Sequence, residues 1–424
     1  MKASRTTPRT IQPGILKGEL VAPPSKSISH RLLIIAALSG RKCQIGNFLK
    51  SEDTLITLHA LQKMGFVLER RENRILFKGH REVPTQPVHI DCGNSGTSAR
   101  LLTAVAAYLS GEFIITGSPR MQQRPMKPLI DSLIATGAHI DHQQGFLPIT
   151  VHGGHLQGGE VEIDASLSSQ FISALMLVAP CTRQGYRIVP QGIIASKAYL
   201  ELTAQLLKKY GIENIYRDNC ISVAGSQKYQ MDQAIVEGDY SNISYFVTGA
   251  ALSGGEVRIK GLAQDSAQGD RYILSLAEKA GAKVSWFKEW VQIKSDRLSA
   301  LDENLNDCPD LVPSLAVMAL FSKGSSRFRN VGHLQYKESN RLAAIVQNIQ
   351  KLGGRAVIEN NDLIVQPATL KGTTLSSFKD HRIAMSFAMV GLRVPGITIE
   401  DPACVEKSFP KFWHYLDQLT YEKN

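Results

Sequence analysis

The sequence predicts an α/β protein made of six copies of one unit of roughly 70 residues, grouped as two lobes of three. Three observations lead there. Gly65, Gly137, Gly211, Gly281 and Gly353 each close an amphipathic segment, and they recur at intervals of 70 to 74 residues. Asp91, Asp164, Asp239, Asp310 and Asp380 recur at intervals of 70 to 75, each before a polar turn and an Ala-rich apolar stretch. Between the two series lie short runs rich in β-branched or aromatic residues, such as Phe113–Thr116, Tyr186–Val189, Val257–Lys260, Arg327–Asn330 and Ile397–Glu400. A glycine just past a helix supplies the left-handed residue that ends it.

In chain order, each unit reads as a loop, a buried helix, a strand, an amphipathic helix and a closing hairpin. Lys26 begins the first. The buried helices are expected at Arg100–Leu109, Gln170–Val178, Ile243–Leu252, Val312–Phe321 and Ile383–Val390, apolar on every side and therefore core. The amphipathic helices are expected at Asp53–Met64, Met126–Thr136, Lys197–Tyr210, Arg271–Ala280 and Glu338–Leu352. The sixth unit stops after a Phe409–Leu419 helix without a hairpin, while Arg5–Ala22 is strand-like and has no helix. The N-terminus is therefore expected to supply the missing strands of unit six. That gives one lobe at about 21–234 and a discontinuous lobe of 1–20 with 235–424.

Composition excludes several classes. The chain has 424 residues, 43% hydrophobic and 20% charged, enough for two or more cores. Net charge is +10, but Lys and Arg are scattered, which suits a pocket for small polyanions better than a nucleic-acid tail. The basic loops lack interleaved aromatics, so no nucleic-acid partner is expected. Six well-separated cysteines without a Cys-x-x-Cys pair suit a reducing cytosol, and no metal or other cofactor is expected. Met1–Thr10 is polar, unlike a signal peptide, and no apolar run reaches 18 residues, so a cytoplasmic protein without a membrane span is expected.

The loops that open the buried helices carry the chemistry. They read Ser25-Lys26-Ser27 with Arg31, Gly93-Asn94-Ser95-Gly96-Thr97 with Arg100, Ser168-Ser169-Gln170, Asp239-Tyr240-Ser241-Asn242, Asp310-Leu311-Val312-Pro313 and Lys379-Asp380-His381-Arg382. Ser25 or Ser27 can cap the first helix, leaving its first N–H groups for an anion. Arg120, Arg124, Lys127, Lys197, Lys337, Arg341 and Lys407 add cations at the starts of the second helices. If the units are alike, these loops converge between the lobes on a ligand bearing phosphate and carboxylate. Asp310 and Glu338 stand among the cations. Glu338, three residues before Arg341, is either a charge balance in a first helical turn or an acid–base group. Asp91, Asp164 and Asp380 read as caps or loop supports, His30 and His381 as hydrogen-bonding residues, and Cys92 as structural.

These blocks resemble the 5-enolpyruvylshikimate-3-phosphate synthase family. The resemblance runs from Ser25 to Pro410 and rests on Ser-Lys-Ser with Arg31, Gly-Asn-Ser-Gly-Thr with Arg100, Arg-Met-x-x-Arg-Pro at 120–125, Ser-Ser-Gln-Phe at 168–171, Lys-Glu-Ser-Asn-Arg at 337–341, Asp-His-Arg-Ile-Ala-Met at 380–385, and Asp401-Pro402 with Lys407-Ser408-Phe409-Pro410. It implies a two-lobed inside-out α/β barrel of βαβαββ repeats. It implies transfer of the enolpyruvyl group of phosphoenolpyruvate to the 5-hydroxyl of shikimate 3-phosphate, with release of phosphate, in the shikimate pathway to chorismate and aromatic amino acids. Lys26, Ser27, Arg31, Ser168, Ser169, Gln170, Ser196, Asp310 and Lys337 would then hold shikimate 3-phosphate. Lys26, Asn94, Gly96, Arg124, Gln170, Arg341, Arg382 and Lys407 would hold phosphoenolpyruvate. Asp310 and Glu338, with Lys26, would handle the protons. The expected partners are these two small molecules, and a monomer is expected.

Three positions depart from the family's common pattern. Pro24 replaces a Gly, His30 an Asn, and Ser314 stands where some members have an acid. The alternatives are a UDP-N-acetylglucosamine enolpyruvyl transferase, which needs a loop cysteine, and a non-catalytic anion-binding protein.

Overall fold

The computed structural model describes residues 7–217, 219–295 and 297–422. Backbone contacts divide the chain into a continuous unit, Pro24–Val236, and a discontinuous unit formed by the residues before and after it.

In the continuous unit the helices alternate in character. Lys26–Ser39 (α1), Gly96–Tyr108 (α3) and Gln170–Val178 (α5) are buried almost throughout, whereas Glu52–Lys63 (α2), Lys127–Ala135 (α4) and Ala198–Lys209 (α6) bury one face. The discontinuous unit repeats this with Tyr240–Ser253 (α7), Val312–Ala319 (α9) and His381–Ala388 (α11) buried, and Tyr272–Lys279 (α8), Arg341–Lys351 (α10) and Phe412–Leu419 (α12) one-sided. The buried helices pack on one another within each unit, and the small sheets lie outside them. The five recurring glycines all follow the one-sided helices with φ between 81° and 104°, a region that a side chain disfavours.

Each sheet repeats one plan, a parallel strand pair extended by an antiparallel strand. Val88–Asp91 runs parallel to Gly111–Thr116, which pairs antiparallel with Phe146–Gly153. Gly159–Asp164 pairs likewise with Gly185–Gln191, and Asp302–Asn304 with Ser326–Arg329. The chain is thus α/β with six such sheets among the described residues, as the repeat predicts. The first repeat borrows its parallel strand from the end of its own unit, Gln233–Ile235, which lies beside Lys42–Gly46.

The N-terminal segment corrects one expectation. Arg9–Thr10 does complete the sixth repeat, antiparallel to Thr398–Ile399. Ile15–Val21, however, runs parallel to Glu256–Lys260 and serves as the first strand of the fourth repeat. Its alternation buries Leu16 and Leu20 beside that repeat's core. Arg5 and Thr6 lie outside the described residues.

Candidate active site

Helix starts place the groups of the continuous unit. Ser25, not Ser27, caps α1, its Oγ accepting from the Ile28 N–H at 3.5 Å. The next residue, Lys26, is buried and its Nζ lies 3.0 Å from Asp53 Oδ2 in the first turn of α2. Such a pair orients the ammonium more than it stabilises the fold, because desolvation offsets its attraction. Arg31 turns inward. Its Nε donates to Thr203 Oγ1 at 2.7 Å and its Nη groups to Ser27 O, Ser173 Oγ and Tyr199 O at 3.1, 3.1 and 3.2 Å. Arg31 therefore straps α1 to α5 and α6, and burial lowers its pKa to about 10, still charged at neutral pH.

The second loop is built around a close approach. Ser95 caps α3 and Gly96 opens it. The buried Arg124 guanidinium donates to Asn94 O at 3.2 Å and sits against Gly96 so tightly that an added Cβ would lie 2.5 to 2.7 Å from its terminal atoms. Gln170, first in α5, accepts from Arg100 Nη1 at 2.6 Å and donates to Thr97 Oγ1 at 3.0 Å. Ser168 and Ser169 are buried just before it. Ser196 is buried at φ +59°, and its Oγ finds no hydrogen-bond partner among the described residues. A strained non-glycine residue with an unsatisfied hydroxyl is a mark of a functional position.

In the discontinuous unit the chemistry gathers on Arg341, which is 1% exposed. Its Nε donates to Asp380 Oδ2 at 2.8 Å, Nη1 to Asp310 Oδ1 at 2.7 Å and Nη2 to Glu338 Oε2 at 2.6 Å. Asp310 also accepts from Arg382 Nη2 at 2.6 Å and so bridges two guanidiniums. Burial alone would raise its pKa, but Arg382, Arg341 and Lys337 outweigh burial and hold the carboxyl well below the usual range. Asp380 caps α11 through the Arg382 N–H, which sets both arginines relative to one helix end. Lys407 is buried in the same unit.

Several expectations change here. Asn340 caps α10, its Oδ1 accepting from Ala343 N at 3.2 Å, so the helix begins at Arg341 and Glu338 lies before it. Compensation of a first-turn dipole therefore does not describe Glu338. Lys127 is exposed in an i,i+4 pair with Asp131, and Lys197 faces Glu201 and the Tyr216 ring on the surface, so neither belongs with the buried cations. His30 is buried with Nδ1 2.9 Å from Thr57 Oγ1, in a core hydroxyl chain that continues to Ser98. Ser314 is buried and joins a similar hydroxyl chain with Ser244 and Ser386. Cys92 and Cys308 are buried thiols with pKa raised first by burial, which opposes a nucleophilic role.

Sequence reasoning missed three groups. Asp53 carries no motif, and only the packing of α2 brings it to Lys26. His333 is buried, its pKa lowered to about 3 by burial and by Lys337, and its Nε2 finds no partner among the described residues. Asp270 is buried, accepts from Ser241 Oγ, and is raised to about 7 by burial and by the charge of Asp310, with Arg382 opposing. Among the described residues no cluster of three or more His, Cys, Asp or Glu side chains is placed to hold a metal ion, and no helix is long and apolar enough to cross a membrane.

The family model for EPSP synthase (3-phosphoshikimate 1-carboxyvinyltransferase) matches residues 11–416. The chain belongs to the EPSP synthase family. A 3-phosphoshikimate 1-carboxyvinyltransferase of Syntrophobacter fumaroxidans is 40% identical over 419 residues, covering 97% of this chain and 99% of the relative. One of Pseudoalteromonas translucida is 37% identical, covering 96% and 97%. A solved structure of EPSP synthase from Acinetobacter baumannii superposes with a TM-score of 0.83 at 25% identity, covering 98% of this chain and 99% of that one. The family's two-lobed α/β fold thus accounts for the repeated sheets.

Proposed function

We propose that this chain is a 3-phosphoshikimate 1-carboxyvinyltransferase: it joins phosphoenolpyruvate to the 5-hydroxyl of shikimate 3-phosphate and releases phosphate. The observation that carries the reading is the arrangement at Arg341, where Asp310 and Glu338 are fixed by guanidinium groups. The reaction needs that pairing of groups. The hydroxyl adds to the substituted alkene carbon as the methylene carbon takes a proton, giving a tetrahedral ketal. The ketal then loses phosphate as the new methyl group gives up a proton. A carboxylate exchanges those protons, and fixed cations hold the carboxylate and phosphate throughout.

In this reading Lys26, Ser27, Ser168, Ser169, Gln170, Ser196 and Lys337 hold shikimate 3-phosphate. Arg31 acts there through the α1–α5–α6 strap that its hydrogen bonds form. Asn94, Gly96, Arg124, Arg341, Arg382 and Lys407 hold phosphoenolpyruvate, with Lys26 and Gln170 touching both. Glu338 moves the proton, and Asp310, kept ionised by its arginines, receives the 5-hydroxyl. The enzyme is read as a monomer working in the cytoplasm, a state that size-exclusion chromatography with light scattering tests.

Glu338→Gln separates chemistry from charge balance. Arg341 keeps Asp310 and Asp380 in that variant, so the local fold survives. Loss of proton transfer should lower kcat at least ~100-fold, about 3 kcal/mol of barrier, with little change in shikimate 3-phosphate Kd. Near-normal kcat with tightened anion binding would remove Glu338 from the mechanism.

A further inference from the structure

Asn242 lies in the first turn of α7, one residue after Ser241, and is 1% exposed. Its backbone N–H is already used, donating to the capping Asp239 Oδ1 at 2.8 Å. Its side-chain amide faces another segment. Nδ2 donates to Ser408 O at 3.1 Å, and Oδ1 accepts from Ser408 Oγ at 3.3 Å. The amide thus grips both the main chain and the side chain of the residue that follows Lys407.

A second contact on the same face reinforces the grip. Phe246 is four residues on, one helical turn along the same side. Its ring lies 5.9 Å from that of Phe409 and 5.7 Å from that of Phe412, the first residue of α12. A polar clamp on Ser408 and an aromatic clamp on Phe409 therefore seat the chain immediately after Lys407. The segment carrying Lys407 is a six-residue 3-10 turn, Pro402–Lys407. The hydrogen-bond geometry of such turns is poorer than that of an α-helix, so an anchor just outside the turn helps to fix the main chain that carries the ammonium.

We propose that Asn242 is a positioning residue for Lys407, fixing the base of that side chain through Ser408 so that its ammonium meets the phosphoenolpyruvate anion. The inference rests on the reading of Lys407 as a phosphoenolpyruvate contact. Asn suits the task because one neutral amide donates and accepts at once. An aspartate would turn an oxygen toward the Ser408 carbonyl and add a third carboxylate beside Asp239 and Asp270, the latter held by neighbouring Ser241.

The test is equilibrium binding of phosphoenolpyruvate to the full-length enzyme saturated with the 5-deoxy analogue of shikimate 3-phosphate, which lacks the attacking hydroxyl and so does not turn over. Four proteins form the mutant cycle, the parent, Asn242→Ala, Lys407→Ala and the double variant, and Ser408→Ala is measured beside them. Asn242→Ala should weaken phosphoenolpyruvate binding by ~10-fold and leave shikimate 3-phosphate affinity unchanged, and the loss should vanish in the Lys407→Ala background. Ser408→Ala keeps the bond to its carbonyl and should lose less. If Lys407→Ala binds phosphoenolpyruvate normally, the reading of Lys407 fails. If Lys407→Ala weakens binding while Asn242→Ala does not, or if the two losses simply add, the positioning role is overturned. Should Asn242→Ala fail to fold, Asn242→Ser, which restores part of the volume and one hydroxyl, carries the same comparison.

Discussion

Adding one methyl group at Gly96 tests the phosphoenolpyruvate clamp from its geometry. A Cβ there would meet Arg124 Nη2 at 2.5 Å, Cζ at 2.6 Å and Nη1 at 2.7 Å. Ordinary non-bonded contact needs roughly 3.5 Å, so in Gly96→Ala the guanidinium must retreat by about 1 Å. Arg124 is buried, and its Nη1 already bonds Asn94 O at 3.2 Å, so retreat breaks that bond and moves the charge off its line. A shift of ~1 Å in a positioning group costs up to ~100-fold where that group holds the ligand, or about 3 kcal/mol. Steady-state kinetics with each substrate varied in turn should show a KM for phosphoenolpyruvate raised by ~10- to 100-fold. The KM for shikimate 3-phosphate and the melting temperature should hardly move, because a flexible arginine tip gives way before the α3 backbone does. An unchanged phosphoenolpyruvate KM in a folded Gly96→Ala protein would refute the assignment of Arg124 to that anion.

Arg341→Ala should unfold readily: it strips the cation from three carboxylates, of which Asp380 is wholly buried, and leaving a buried charge unpaired costs ~3–5 kcal/mol, read by chemical denaturation. Asp270 gives a pH signature. Its carboxyl sits near 7 in the folded protein against 3.8 as its ordinary value, so the folded state binds the proton more tightly. Its contribution is therefore most favourable below about pH 4 and declines as pH rises to 7, by at most roughly 4 kcal/mol. Asp270→Asn should flatten the fall in denaturation midpoint between pH 4 and 7, and a parallel fall in both proteins would show that another group titrates.

The repeat was readable because it rests on local chemistry. A glycine ending a one-sided helix and an aspartate preceding an apolar one are both set by neighbours within a turn or two. The Gln170–Val178 helix stands as read, and the other helices lie within a few residues of their expected spans. What the sequence hides is which strand lies beside which. Ile15–Val21 alternates like any strand, and nothing local says that it pairs with Glu256–Lys260 rather than with the sixth repeat. The start of α10 was misplaced for a related reason. Glu338 and Asn340 are both reasonable first-turn residues, and the cap made by Asn340 to Ala343 decides between them.

At the site, the repeat period explains what was visible. Asp310 and Asp380 stand one period apart, with Arg341 between, and equivalent loops of neighbouring repeats meet at one end of the buried helices. Residues outside the repeated loops gave no such signal. Asp53 is brought to Lys26 only by the packing of α2, and His333 stands out only because its ring is buried near Lys337. Lys127 and Lys197 show the reverse error, since a cation near a helix start looks the same in sequence whether it is buried or exposed.

Phosphate release tests the acceptor and the group transferred at once. Purified enzyme is incubated with phosphoenolpyruvate and either shikimate 3-phosphate or UDP-N-acetylglucosamine, and free phosphate is followed by a coupled assay. Phosphate release should be stoichiometric with shikimate 3-phosphate and absent above background with the UDP-sugar. Release with the UDP-sugar instead, or with neither acceptor, would contradict the proposed reaction.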